Sequence, residues 1–579
     1  MKKLSGKTFL FLLALLVFFW LFAGQYPIAA QQYQVNFSEA WESCTSIMVG
    51  KKASVDGSVI TCHTCDGRYR TWVEIVPHQT HDEGSMRKIL WGTMFTETAW
   101  DLRGIREKGE ITQVKETYAY LNVCYPCLNE KQLAFGETTI MGKRELRNDE
   151  GMFVIEELQR IALERCTTAR EAIRLMGNLA TNYGYGDWGE CLTVADPKEV
   201  WHFEIFGAGL LEIGAVWAAV RIPDDHVGVS ANMPRISTLN LDDPDHYMAS
   251  ENVFSLAEEM EWWSPDSGEF KFWKAYSGRD KAFGTREFYI LSTLAPSLNL
   301  SMDAEELPFC VKPEKKLSVR DVMKYYRETY AGTEFDMTQN LMVPKPRRGR
   351  RGQPQEDEAE KDEKVEMIKS PLANPWMSRD MIRMLNAIKP GTVERQRTIA
   401  IAGCSYSQII QLRDWLPDEI GGVAWFSFDN PALSPRIPIF AGVLELPKSF
   451  NICAQHRFRT DAACWAFRRA NRLATINWGR SQEIIEESVM EFENKAFDDL
   501  PMIEAKALEL YKKEMEKLKK ENNAKKDSEE EVDNENGEEP PPPEYKKYLT
   551  KYTNDFARAA IDKWWELGDT FWGMFGRGF

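Results

Sequence analysis

Cys44-Thr45-Ser46-Ile47-Met48-Val49-Gly50-Lys51-Lys52-Ala53-Ser54-Val55-Asp56-Gly57-Ser58, running on through Val59 to Asp66, is the stretch that decides how this chain is read. Two β-prone runs, Ile47-Met48-Val49 and residues 58–62, flank the turn dipeptide Asp56-Gly57, the signature of a hairpin. A two-residue loop pairs Val55 with Ser58, so that partner numbers sum to 113, and a wider turn around Val55 gives 110. Either register sets Cys44 opposite residues 66–69 and brings His63 and Asp66 within a few residues of its thiol on the neighbouring strand. That neighbourhood has chemical meaning. A cysteine needs a nearby cation or base to become a thiolate, and a carboxylate beside it can hold an amine or imidazole in the useful protonation state. Taken singly the residues read otherwise: Cys44 as a buried thiol or disulfide half, His63 as a core or surface histidine, Asp66-Gly67 as a turn.

Upstream of Cys44 the chain carries an export signal. Residues 1–7 hold three lysines, residues 9–23 are an unbroken apolar run, and Gly24, Pro27, Ala29 and Ala30 follow; this is the pattern of a signal peptide over residues 1–30. Fifteen apolar residues at 1.5 Å rise fall short of a bilayer core of roughly 30 Å, so cleavage is expected, with a secreted or periplasmic product and no stable membrane span after it. The 579 residues are 43% hydrophobic and 12% aromatic, which excludes collagen-like, wholly disordered and polytopic membrane proteins. A formal charge of −16, from 72 Lys+Arg against 88 Asp+Glu, repels phosphate backbones. Nucleic acid is therefore not an expected partner, and a small or peptidic substrate is. The eleven cysteines are too sparse for a disulfide scaffold, and their odd number asks which thiol stands alone.

Downstream, residues 72–76 form a further β-prone run, and residues 150–179 switch to helical spacing with Val154, Ile155, Leu158, Ile161, Ala162, Ile173 and Met176 three and four apart. Strands are expected at residues 191–195 and 200–205, joined by Asp196-Pro197-Lys198-Glu199, and again at 227–230, 398–401 and 437–446. This order of elements supports an α+β fold. Residues 344–366 begin basic and turn acidic, which reads as an exposed charged insertion. Residues 481–520 read as a long helix, 521–545 as an acidic, proline-rich disordered linker, and 546–579 as an amphipathic aromatic tail expected to dock on the core rather than on a membrane.

The block that begins at Cys44 resembles the start of the cysteine N-terminal-nucleophile hydrolases of the dipeptidase A and secernin group, relatives of the bile salt hydrolases and penicillin V acylases. The likeness continues through Leu128-Asn129-Glu130-Lys131-Gln132-Leu133, from Gly189-Glu190 to Asp196, from Trp201 to Glu204, and to Ser230-Ala231-Asn232. It resumes at Gln411-Leu412-Arg413, Leu416-Pro417, Gly421-Gly422-Val423-Ala424-Trp425 and from Pro438 to Gly442, covering about residues 44–470. The resemblance implies a four-layer αββα sandwich over residues 44–480 and a mature chain that begins at Cys44. It also implies that the thiolate attacks an amide carbonyl while the same residue's α-amine serves as base. An α-amine titrates near pH 8, so a modest downward shift makes it a base at neutral pH. Because Cys44 lies 43 residues inside the chain, a propeptide over residues 31–43 is expected, removed when the thiol attacks the Ser43 carbonyl and the thioester hydrolyses. By the same resemblance Asp66 bonds the nucleophile's amine and Asn232 donates to the oxyanion. Asn129 and Arg286 match pocket polarity and binding of the substrate carboxylate. His63 departs from the pattern, since the family places an arginine there, and a neutral imidazole is no substitute for a guanidinium. No cofactor and no metal is implied, and a homo-oligomer is compatible with the sequence.

Two rival classes stay open at this point. Cys62-His63-Thr64-Cys65 and Cys124-Tyr125-Pro126-Cys127 could build a four-sulfur zinc site or disulfides in a secreted binding protein, and the same fold could serve as a catalytically silent scaffold. No His-Glu-x-x-His, Gly-x-Ser-x-Gly or phosphate-cradling glycine loop occurs, so metalloprotease, serine hydrolase and nucleotide chemistry lack support.

Overall fold

The computed structural model describes residues 44–345, 365–527 and 541–575. The signal peptide, the propeptide, most of the charged insertion and most of the linker lie outside the described residues.

The strand β1 (Ser46–Val49) pairs antiparallel with β2 (Val59–Asp66), Met48 opposite Thr61 and Val49 opposite Ile60. The partner sum is 109, so both expected registers, 113 and 110, are corrected. The physical reason lies at Gly50. A side chain there would collide with the Pro223 and Asp224 carbonyls, and the chain turns at once, with Ala53 N and Ser54 N donating to Gly50 O at 2.9 and 3.2 Å. Asp56-Gly57 does turn, with Gly57 at φ 87° and the Ser58 hydroxyl donating to Asp56 Oδ1 at 2.6 Å. It sits at the far end of a longer connection rather than closing a tight hairpin.

β1 and β2 are the middle of a seven-stranded antiparallel sheet whose order is Cys310–Val311, Val227–Ser230, β1, β2, Cys404–Leu412, Val423–Phe428, Ile437–Phe440. An eight-stranded antiparallel sheet runs Tyr247–Ala249, Ala215–Ile222, Val200–Gly207, Glu190–Ala195, Ala134–Thr139, Leu128–Asn129, Tyr120–Asn122, Glu74–Val76. The expected strand at 398–401 is not one. That segment is irregular, and the strand starts at Cys404, beyond the Arg397 that turns back to Asp66. The strand expected to run to 446 ends at Phe440, where Gly442 N donates to Glu419 O at 2.9 Å. The helical period over 150–179 resolves into two helices, Ile155–Arg165 and Ala169–Tyr183, because Thr168 and Glu171 form a capping box that starts a new helix.

The two sheets meet face to face. Between them run hydroxyl pairs as well as apolar side chains: Thr61 Oγ1 to Thr193 Oγ1 at 2.6 Å, Thr138 Oγ1 to Ser230 Oγ at 2.5 Å, and Ser46 Oγ donating to Glu137 O at 3.1 Å. Each satisfies a buried polar group that would otherwise oppose folding. Helix Ala169–Tyr183 packs on the eight-stranded sheet, and helices Thr285–Leu294, Val319–Tyr326 and Ala463–Ala474 pack on the seven-stranded one. A helix from Trp478 to Asp527 occupies the stretch read as 481–520, and the tail is a helix, Glu544–Phe575, seated on strand Ile437–Phe440 and helix Ala463–Ala474. No helix among the described residues is long and apolar enough to cross a membrane.

Candidate active site

Cys44 is the residue from which the site is built. It lies two residues before the start of β1, is fully buried, and holds a left-handed backbone with φ 86°, a conformation that strains a residue with a side chain. Its backbone nitrogen donates to Asp66 Oδ2 at 3.3 Å. The same oxygen accepts from the Thr64 hydroxyl at 3.0 Å and from Arg397 Nη2 at 2.6 Å, while Asp66 Oδ1 is buried and accepts from no nitrogen or oxygen donor among the described residues. Thr45 N donates to Thr64 Oγ1 at 2.8 Å, and Tyr326 Oη to Thr45 O at 2.7 Å, so the peptide groups on both sides of Thr45 are held.

Strand period two assigns the neighbours to different faces. Asp66, even-numbered with Cys62 and Thr64, serves the backbone nitrogen of Cys44. His63, odd-numbered with Thr61, points toward the second sheet, its Nδ1 at 2.7 Å from Glu137 O. The Cys44 thiol, a His63 ring nitrogen and a Glu137 carboxylate oxygen lie within 4.8 Å of one another. Burial pushes His63 down to about 4, so at neutral pH the ring is uncharged and cannot do what a guanidinium does. Burial also raises the Cys44 thiol well above its usual range, with Glu137 and Asp66 adding repulsion. The thiol is therefore protonated in this chain as it stands.

Arg286 corrects the expectation of a substrate-carboxylate ligand. Its Nη1 donates to Cys44 O at 2.5 Å and Thr45 Oγ1 at 3.0 Å, and its Nη2 to Ala231 O at 2.9 Å and Asn232 Oδ1 at 2.8 Å. Four donor contacts tie the Cys44–Thr45 segment to Ala231 and Asn232. Burial first, then Arg397, lowers its guanidinium to about 10, still fully charged at neutral pH. Asn232, at φ 66°, donates one amide proton to Thr139 O at 2.9 Å, and Arg286 holds its carbonyl oxygen. Asn129 is the second correction. Its amide nitrogen donates to Leu163 O and Cys166 O, and its oxygen accepts from Lys131 N and Leu133 N, so its polar atoms join the chain behind the sheet and offer nothing to a pocket.

The paired Cys-x-x-Cys motifs do not bring four sulfurs to one point. Cys62 faces Tyr326 and Arg436, whereas Cys65, on the opposite face, meets Cys124; all eleven cysteines are free thiols. The four-sulfur reading is thereby corrected. Among the described residues the metal-competent group is Cys44, His63 and Glu137, and an ion held there would take the thiol itself. Sequence reading missed Arg397, Glu137 and Tyr326. Arg397 comes from a coil 331 residues beyond Asp66, with no local motif to mark it, and Glu137 is one alternating position of a strand.

Residues 43–491 match Peptidase family C69. Over 429 residues the chain is 27% identical to a probable dipeptidase of Latilactobacillus sakei, covering 70% of this chain and 76% of that protein. A probable dipeptidase of Salmonella dublin is 25% identical over 414 residues, 69% and 81% of the two chains. Probable dipeptidase B of Lactococcus lactis subsp. lactis (strain IL1403) is 23% identical over 444 residues, 70% and 76%.

Proposed function

The chain belongs to peptidase family C69 and is a hydrolase of peptide bonds, and we propose that it is an exported cysteine dipeptidase whose nucleophile is Cys44, acting as the first residue of a processed chain. The observation that carries this reading is the joint geometry of Cys44: its nitrogen on Asp66 and its carbonyl on an arginine that also holds Asn232. The two face-to-face antiparallel sheets with helices against them support the four-layer N-terminal-nucleophile sandwich.

Processing begins with the thiol attacking the Ser43 carbonyl. The peptide C–N bond breaks, the acyl group passes to sulfur and the nitrogen becomes an amine. Water then hydrolyses the thioester, which releases residues up to 43 and regenerates the thiol. The positive φ of Cys44 is relieved when the peptide bond that defines it is cut. The product amine has three protons when charged, against the single N–H of the peptide, and the unused Asp66 Oδ1 is there to receive one. The amine also supplies the base that the raised thiol needs. In turnover the thiolate adds to the substrate carbonyl and the second Asn232 amide proton faces the oxyanion. The ammonium then protonates the leaving amine, and water frees the acyl group. The apolar run at residues 9–23 supports export.

Intact-mass analysis of purified protein is expected to find a chain starting at Cys44, and Cys44→Ala to remain unprocessed and inactive on dipeptides. A fully active chain starting at residue 31, or activity that survives Cys44→Ala, overturns the reading.

A further inference from the structure

Asp66 Oδ2 collects three donors: Cys44 N at 3.3 Å, the Thr64 hydroxyl at 3.0 Å and Arg397 Nη2 at 2.6 Å. The arginine contact is the shortest, and it joins side chains only 15% and 1% exposed. The other terminal nitrogen of Arg397 donates to Thr398 O, and the Tyr330 hydroxyl donates to Arg397 O at 3.0 Å. Backbone and guanidinium are both fastened, although residue 397 lies in irregular chain.

An amine at Cys44 needs Asp66 for its direction and is hampered by that group's charge. An opposite charge at hydrogen-bond distance favours the ammonium, and an ammonium cannot take a proton from the thiol. A guanidinium on the same oxygen resolves the conflict. Arg397 Nη2 is no farther from the Cys44 nitrogen than the two contacts laid end to end. Since the interaction falls as the inverse of distance, it offsets roughly half or more of the carboxylate's pull. Arg286, on Cys44 O, acts in the same sense, and the two guanidiniums stand close enough to repel one another.

The other ionisable groups leave this balance in place at neutral pH. Facing Asp66 and the two arginines, burial keeps His63 neutral and the Tyr326, Tyr330 and Cys404 side chains protonated. Facing the thiol, burial keeps Cys65, Tyr69 and Tyr125 protonated and lifts Glu190 well above the usual carboxyl range. Glu137, held up to about 7, titrates in the working range, alike in wild type and in Arg397 variants.

We propose that Arg397 is a positioning residue of this peptidase: by neutralising Asp66 it lets the carboxylate orient the Cys44 α-amine without holding it as an ammonium, so that the amine takes the thiol's proton at neutral pH. This rests on the reading of Cys44 as the processed nucleophile.

The test is the pH profile of kcat/KM for alanyl-alanine, measured on protein whose intact mass starts at Cys44. The wild-type acid limb is expected below about 7, at least one unit under a free α-amine. Arg397→Gln is expected to raise that limb by about one unit. Below the limb kcat/KM then falls about tenfold, and above it most of the activity returns, with KM little changed. Arg397→Lys, which restores the positive charge, is expected to bring the limb back to the wild-type position. A wild-type limb at about 8 or higher overturns the proposal with no variant needed, even if Arg397→Gln fails to fold or to be processed. A loss by the same factor at every pH assigns Arg397 to support of the fold, and a rise in KM alone makes it a substrate ligand; either overturns the proposal. So do profiles of Arg397→Gln and Arg397→Lys that coincide. If any of these results comes from an enzyme that Cys44→Ala silences, the nucleophile stands and only the role of Arg397 falls. Hydrolysis that survives Cys44→Ala removes both.

Discussion

Glu156 lies in the first turn of the helix Ile155–Arg165 and is buried, its Oε2 without a hydrogen-bond partner among the described residues. Burial, then repulsion from Asp187, lifts its carboxyl from 4.5 to about 8. Between those two values the folded chain holds a proton that the unfolded chain has released, so stability falls as pH rises through the window. At pH 7 the deficit is up to about 3 kcal/mol, at 1.36 kcal/mol per unit. Glu156→Gln is expected to stabilise the protein by about 1–3 kcal/mol at pH 7 and by little at pH 4, where the acid is protonated in both states. Urea denaturation at the two pH values measures the difference, and an equal gain at both would assign it to packing instead. His63 acts with the opposite sign. Its folded value of about 4 lies below the usual 6.5, so the unfolded chain takes up the proton first, and this contribution is lost as pH falls from 6.5 toward 4. Neither shift is written in the sequence, because each depends on how much water the fold removes from one side chain.

Gly136 decides how closely the two sheets approach. Any Cβ there would run into the Cys62 carbonyl and the Thr193 hydroxyl, and Glu137, the next residue, is the one whose carbonyl meets His63 and Ser46. Gly136→Ala is expected to destabilise the protein by about 2–3 kcal/mol and to lower kcat/KM by pushing on the Cys62 carbonyl of the strand that carries Asp66; thermal denaturation and steady-state kinetics read the two effects. Unchanged kinetics would show that the sheets can part there without disturbing the site. At this scale some elements were legible. Strand Val227–Ser230 falls where alternation places it, and the Thr168-x-x-Glu171 spacing that divides the helices is visible once a capping box is sought. The β1–β2 register was not legible, since Gly50 turns early against carbonyls of Pro223 and Asp224, far along the chain.

Across the molecule, the two C-terminal helices bind the sheets from outside. Trp564, fully buried, donates Nε1 to Leu433 O at 3.1 Å and packs on Phe467 and Phe492. Thr553 Oγ1 reaches Pro438 O at 2.8 Å, and Lys546 Nζ reaches Glu130 at 2.9 Å. Trp564→Ala is expected to cost about 3–5 kcal/mol, seen as a lower Tm, with peptide specificity retained because the site lies at β1 and β2; an unchanged Tm would mean that the tail is an ornament of the fold. The sequence alone determined the nucleophile candidate, its Asp66 neighbour, the matching Asn232 and the α+β class, because each is carried by local spacing, by alternation or by a contiguous motif. Only the tertiary structure decided that Arg286 joins Cys44 to Asn232, that Arg397 reaches Asp66, that Asn129 serves the scaffold and that Glu137 sits beside the thiol. Those contacts link residues tens to hundreds of positions apart, and distance along a chain carries no record of which faces will meet when water is excluded between them.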